Sequence, residues 1–330
     1  MFRTLLSAVF VRSAPLKIIA DPQITMDNYL EAEPITGKGL YLVRTGPDSG
    51  AVLHFGDPVK EQRALAAGKG WADLSHLEIV AVKGADRLRW LHDLTTQHLE
   101  SFTGGWSSGL ILDHLGHIEH QFLIFDDGET SWLIVDVDCA APLIEYLNKM
   151  QFTMRVEVLD ASDQKSLIRM PGVADELGGP FALVERGVIP EFPAGAVQVG
   201  IWALEAERVA AMRPRFGLET DHKSIPNELN LLNKSVHLNK GCYRGQETVA
   251  KVYNLGQAPR KLVLLHLDGS EVDLPEVGAA VERDGIKVGF VGTSARHHEL
   301  GNIALAVVKR NVEVDAKLLV GNIPAQINEN

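Results

Sequence analysis

The stretch Lys240-Gly241-Cys242-Tyr243-Arg244-Gly245-Gln246-Glu247 sets one of the chain's two cysteines between two glycines and two cations. Glycine lets a backbone turn tightly and approach a ligand closely. Neighbouring cations favour thiolate over thiol. The octapeptide therefore suits an exposed, ionisable thiol on a loop, although a small buried apolar filler has the same composition. The other cysteine, Cys139, is about a hundred residues away, so the pair offers no disulfide framework and fits a reducing cytoplasm.

A chain of 330 residues exceeds one ordinary core and implies two or three domains. Its 45% hydrophobic and 23% charged residues are those of a globular protein. No apolar run reaches the roughly 20 residues that span a bilayer, and the short apolar stretch Leu5 to Val11 is a poor signal peptide. The net charge of −11 opposes direct nucleic-acid binding over the whole surface.

Residues 1–48 hold turn formers and little periodicity, and read as an irregular arm. Helices are expected over Asp57 to Ala67, Ala85 to Leu99, Pro142 to Met150 and Glu205 to Met212. Strands are expected over Leu77 to Val82, Leu110 to Leu112, His117 to Phe125, Trp132 to Val137 and Arg155 to Leu159. This order is of the βαββαβ, ferredoxin-like kind. A second set of strands covers Leu167 to Met170, Phe181 to Val184 and Val197 to Leu204. After Pro259 come short strands between Gly-rich turns: Lys261 to Leu267, Lys287 to Val291, Ile303 to Val308 and Lys317 to Val320. They suggest a small barrel. His114, His117 and His120 recur at three-residue steps, but on a strand-turn-strand they diverge, so no metal site is expected.

The octapeptide resembles the Lys-Gly-Cys-aromatic-x-Gly-Gln-Glu signature of the YgfZ family, folate-binding relatives of the glycine-cleavage T-protein, an aminomethyltransferase. The resemblance runs from about Ser49 to Arg310 and includes Gly70 to His76, Trp90 to Gln97, Arg213 to Gly217, Ile225 to Glu228 and Gly301 to Ala306. It implies an α+β fold of two interleaved ferredoxin-like subdomains plus a C-terminal β-barrel. The corresponding divisions are an arm over 1–48, a folate-binding domain over 49–258 and a barrel over 259–330. It also implies tetrahydrofolate as the ligand and iron–sulfur assembly or client proteins as partners, tRNA-modifying enzymes among the clients.

By the same resemblance, Glu228 inherits the role of the carboxylate that holds the pterin. A carboxylate can accept from the ring N–H and the adjacent amino group together; an acid at a helix N-terminus would look the same in sequence. The resemblance casts Cys242 as the reactive residue. Lys240, Gly241, Tyr243, Arg244, Gly245, Gln246 and Arg260 would surround the folate, with Lys240, Arg244 and Arg260 as alternatives for its anionic tail. Tyr243, Trp90 and Trp106 are aromatics that could stack on the ring, Trp90 being more consistent with core packing. One departure stands out. Aminomethyltransferases carry an Asp-Asp pair where this chain has Leu115-Gly116-His117-Ile118-Glu119-His120-Gln121. Glycine-cleavage chemistry is therefore not expected, and a folate-dependent one-carbon transferase is the alternative reading.

Overall fold

The computed structural model describes residues 32–35, 40–270 and 273–328. The first elements are a hairpin of β1 (Ala32–Ile35) and β2 (Leu40–Val43), where the sequence reads as an irregular arm. The rest of that arm, residues 1–31 and 36–39, lies outside the described residues. Helix α1 (Pro58–Ala66) starts as its sequence predicts: Pro58 occupies the first turn and the Asp57 carboxylate caps Lys60 N at 3.0 Å.

Two sheets follow, and the chain weaves between them. Strand β3 (Gly70–Asp73) belongs to one; the chain then leaves to build the whole of the other. That second sheet holds β4 (Glu78–Lys83), β5 (Gly105–Leu112), β6 (Ile118–Asp126), β7 (Thr130–Val135) and β8 (Glu157–Asp160), in the order β5-β6-β7-β4-β8. Every pairing in it is antiparallel. Helices α2 (Arg87–Leu94) and α3 (Ala140–Lys149) cover one of its faces. The chain then returns with β9 (Lys165–Arg169), β10 (Phe181–Glu185) and β11 (Val197–Gln198), completing the first sheet as β10-β9-β3-β11. This is the interleaving that the resemblance implies, and the element order carries one strand more than a ferredoxin-like unit.

Strand β7 shows why the larger sheet is buried on both sides. All six of its residues are buried. Leu133 and Val135 join Trp90, Leu91, Leu143 and Leu147 under the helices, while Trp132 and Ile134 pack toward Leu167 and Phe181 of the smaller sheet. Alternating side chains thus serve two cores at once. Trp90 is buried, with Nε1 donating to Met150 O at 3.0 Å, and Trp106 packs against Phe125 and Phe181 between the sheets.

Among the boundaries that differ from expectation, two have a cause visible in the structure. Helix α2 stops at Leu94 instead of Leu99, because the next residues bond sideways. Thr96 Oγ1 donates to Ser235 O at 2.6 Å and accepts from Leu110 N at 3.0 Å, and Gln97 Nε2 donates to Ser108 O and Lys234 O. The alternation Val197, Val199, Ile201 reads as a strand continuing to Leu204, yet β11 ends at Gln198 and α4 spans Ile201–Ala210. The turn between them is set by Gly200, whose N–H donates to Glu61 at 2.8 Å. A Cβ there would lie 2.4 Å from Leu53 O, so only glycine fits.

The C-terminal part is a closed barrel of β12 (Arg260–Leu267), β13 (Ala280–Arg283), β14 (Ile286–His297), β15 (Gly301–Lys309), β16 (Leu318–Val320) and β17 (Ile323–Ile327). Strands β13 and β17 were not expected from sequence, being short and mixed with polar residues and Pro324. Strand β12 sorts its side chains by parity: Val263 and Leu265 fill the barrel, while Leu262 and Leu264 enter a central cluster. That cluster joins Leu110 and Leu112 of β5, Val209 of α4, Leu229, Tyr243, and Val249 of α5 (Gln246–Leu255). All three parts of the molecule meet there.

Gly200→Ala should lower the urea midpoint by an amount equivalent to ~1–3 kcal/mol, the usual cost of forcing an atom into a filled space. An unchanged midpoint would show that the β11–α4 turn can relax.

Candidate functional site

The octapeptide loop sits on the central cluster, between the end of α2 and the start of α5. Gly241 and Cys242 are exposed, and Tyr243 is buried. Gly245 lies at φ +82°, and a Cβ there would fall 2.6 Å from Asp113 O, so the loop backs directly onto the β5–β6 turn. Gln246 then opens α5.

Lys240 is only 6% exposed. Its Nζ donates to His92 O and, at 2.5 Å, to Thr95 O. These carbonyls end α2 and would otherwise lack partners, and the helix dipole favours a cation there. The ammonium also lies 5.1 Å from the Tyr243 ring centroid. Burial brings the Lys240 ammonium down to about 8. Arg244, on the other side of the thiol, pairs with Glu119 at 3.1 Å. Both cations expected to flank Cys242 are thus engaged with other groups. Tyr243 is core, not an open stacking platform, and burial raises its hydroxyl to about 12.

A group of histidines borders this loop, which sequence reasoning missed. His92 and His98 meet edge to face with centroids 4.9 Å apart, and His98 and His237 lie 5.2 Å apart. His92 Nδ1 accepts from Leu99 N at 3.2 Å, so its proton sits on Nε2, 3.9 Å from where a Gly241 Cβ would be. Burial and then the Lys240 charge lower the His92 imidazole. The signal was present as His92 within Trp90 to Gln97, but only the fold brings it beside residue 241. Among the described residues, no group of three His, Cys, Asp or Glu side chains is placed to hold a metal ion. Cys139 is half-buried before α3, its thiol pushed up to about 12 by burial and by Asp136.

Glu228 ends a short 3-10 turn, Pro226–Glu228, and is buried. Its carboxylate accepts from Arg260 Nε at 2.9 Å, Arg260 Nη2 at 2.8 Å and Ile225 N at 3.3 Å. Arg260 also grips Asp221, through Nη1 at 2.6 Å and Nη2 at 3.1 Å. Two sequence-predicted residues are therefore brought together, and Arg260 is pinned between two carboxylates. Burial works against the Asp221 charge, but the Arg260 bonds prevail and hold the acid at about 2. Close by in sequence, Asn227 Nδ2 donates to Val249 O while its Oδ1 is buried with no donor among the described residues. Gln121 is similar: Nε2 donates to Pro214 O and Oε1 is buried without a donor. His120, one residue earlier on β6, lies against Tyr146, and burial lowers it to about 4.

A second charged assembly was also missed. Arg215 binds Asp48 through two nitrogens at 2.9 Å each and Asp136 at 2.7 Å. Arg208 binds Glu205 at 2.8 Å and Glu219 at 3.0 Å, and Glu219 accepts from Thr293 Oγ1 of the barrel at 2.6 Å. Burial opposes the Asp48 charge, yet Arg215 and His76 hold its carboxyl well below the usual range. Arg213 to Gly217 drew notice only as a run of letters; nothing in one sequence says which acids surround Arg215.

No protein-family profile matches the chain. It is 24% identical over 316 residues to a chloroplastic protein of Arabidopsis thaliana named as a transferase, covering 80% of this chain and 70% of that one. It is 25% identical over 306 residues to the aminomethyltransferase of Bacillus subtilis, covering 78% and 84%. A tRNA-modifying protein YgfZ of Aliivibrio fischeri is 30% identical over 122 residues, 36% of this chain and 37% of that protein. The crystal structure of the glycine cleavage system aminomethyltransferase T from Bartonella henselae superposes with a TM-score of 0.67 at 15% identity, covering 92% of this chain and 95% of that one. The fold is that of an aminomethyltransferase. No helix among the described residues is long and apolar enough to cross a membrane.

Asp221 has a folded value below its ordinary 3.8. Its contribution to stability is complete above about pH 4 and lost as pH falls toward 2. The wild-type denaturant midpoint should drop more steeply over that window than that of Asp221→Asn; parallel profiles would mean that the Arg260 pairing adds nothing.

Proposed function

We propose that this chain is a tetrahydrofolate-binding protein of the YgfZ type, supporting the assembly or repair of iron–sulfur clusters in client enzymes, tRNA-modifying ones among them, in a reducing cytoplasm. The observation that carries this reading is the exposed Cys242, held on a buried-lysine loop over the cluster where the three parts of the fold meet. The partial similarity to YgfZ and the absence of the Asp pair support it. Residues 49–258 form the folate-binding unit in this reading, and 259–330 the barrel.

The polar groups suit a ligand rich in N–H donors. Asn227 Oδ1 and Gln121 Oε1 are buried acceptors without donors among the described residues. Glu228 offers roughly four lone-pair sites, of which Arg260 and Ile225 occupy three. It accepts one further donor with Arg260 in place, and three if Arg260 keeps only its fork on Asp221. Of the three candidates for the anionic tail, Lys240 is buried and Arg260 is enclosed by carboxylates; Arg244, in an exposed pair with Glu119, is the one open to exchange. Gly241, Tyr243, Gly245 and Gln246 shape the loop around it. When bound, tetrahydrofolate supplies a carrier for a one-carbon unit. An iron–sulfur cluster needs about four cysteine ligands, and this chain has two, so Cys242 acts on a cluster as a passing ligand or nucleophile.

Calorimetric titration tests the pocket. Tetrahydrofolate should bind the native protein, lose at least about tenfold in affinity with Glu228→Ala, the scale of one charged hydrogen bond, and lose less with Arg244→Ala. No binding to the native protein would end the folate reading. In cells lacking the native protein, Cys242→Ala should fail to restore iron–sulfur enzyme activity; full restoration would remove the thiol from the mechanism.

A folate-dependent one-carbon transferase is the second reading. It is favoured by the alignments with transferases over about four-fifths of the chain. Turnover of a methylated amine with tetrahydrofolate would establish it.

A further inference from the structure

A cavity of about 160 Å³ lies between the segment after β2, strands β3 and β11, and the start of α4. Neither Glu228 nor any residue of 240–247 lines it. Its apolar walls include Phe55, Val199 and Ile201, and its polar residues include Asp73, Ser75 and His76.

His76 has a side chain only 2% exposed. Its Nε2 lies 3.2 Å from Asp48 Oδ1, and Asp48 is held ionised by the two-pronged bond from Arg215. A carboxylate can only accept, so the His76 proton sits on Nε2. That leaves Nδ1 as a bare acceptor, buried and without a partner among the described residues. A buried acceptor left unpaired is costly, and a donor entering the cavity would relieve it. At the exposed end stands Asp73. Its Oδ1 accepts from Ser75 N at 2.9 Å and from Ser75 Oγ, and its Oδ2 has no hydrogen-bond partner among the described residues. Among the described residues, no lysine or arginine lines the space. Arg186 lies behind the wall, its Nη1 donating to the Ser75 backbone oxygen at 3.1 Å and to Ser162 O at 2.7 Å. Glu61, which receives Phe55 N and Gly200 N, adds negative charge behind the wall.

We propose that this cavity binds a small primary or secondary alkylammonium ion, with an N–H donated to His76 Nδ1, the aliphatic part against Phe55, Val199 and Ile201, and the charge facing Asp73. The volume equals that of roughly five water molecules, so the ligand has only a few carbons. An anion is disfavoured, because Asp73 lines the site, Glu61 lies behind its wall, and no lysine or arginine among the described residues lines it. The site stands on its own residues and does not depend on the folate reading.

The test is a long-range proton–nitrogen NMR titration of the full-length protein's histidines at pH 7.5, with propylammonium chloride, sodium propionate and 1-propanol as probes. His76 is identified by the signal lost in His76→Gln. Propylammonium should shift its Nδ1 resonance saturably, and propionate should not. Asp73→Asn, at the exposed rim, should weaken propylammonium up to about fivefold, the scale of one exposed ion pair, and leave 1-propanol unaffected. No saturable shift with propylammonium, or equal shifts with propionate or propanol, would overturn the proposal. If His76→Gln does not fold, His76→Asn identifies the signal instead, and the native protein and Asp73→Asn then decide the matter.

Discussion

Arg215 is the interaction on which the arrangement of the molecule rests. Its guanidinium reaches Asp48 from the N-terminal segment, Asp136 from the end of the larger sheet, and Glu205 from α4 at 3.5 Å. Through Glu205 and Glu219 it continues to Arg208 and to Thr293 in the barrel. Replacing such a group by well-packed apolar residues need not destabilise a protein, whereas removing one partner costs about 3–5 kcal/mol. The network therefore acts mainly as a specification. Apolar surfaces slide at little cost, but a planar cation with fixed donors accepts its carboxylates in one relative placement. The N-terminal segment, the larger sheet, α4 and the barrel are indexed to one another through it.

Around that fixed frame, the loop at 240–247 works by a division of labour. Its lysine and tyrosine face inward and give the loop its position, one through helix-end carbonyls and the other through packing. Gly245 permits contact with the β5–β6 turn, and Gly241, Cys242, Arg244 and Glu247 are presented outward. A sequence motif of eight residues thus contains mostly scaffolding. The buried Lys240 ammonium, brought down to about 8, shows that this scaffolding is bought with desolvation.

The sequence exposed the parts of the fold that depend on local pattern. Asp57 to Ala67 reads as a helix and His117 to Phe125 as a strand, and they are α1 and β6. It misled where two local signals competed. Val197, Val199 and Ile201 alternate like a strand, and the closeness of Leu53 to Gly200, which decides the matter, is a long-range fact. The same holds for the site. Cys242 and Glu228 could be picked out because each lies in an unusual run. His92, His98 and His237 come from three stretches, and Asp48, Asp136 and Arg215 from three more. Pairing of Glu228 with Arg260, which changes how many donors that carboxylate can still accept, needed both residues seen at once.

The weaving of the two sheets has a consequence for how the chain is made. Strand β3 leaves the ribosome about a hundred residues before β9, its antiparallel neighbour, and still longer before β11. The larger sheet, a continuous run from β4 to β8, can close while β3 still lacks both neighbours. Contacts so distant in sequence form slowly, since the loop between them must be closed first. Until then the apolar face shared by Trp132, Ile134 and Leu123 has no cover from the smaller sheet. Nascent chains of this architecture should accordingly be most aggregation-prone, and most dependent on chaperones, in the interval between the synthesis of β8 and that of β11.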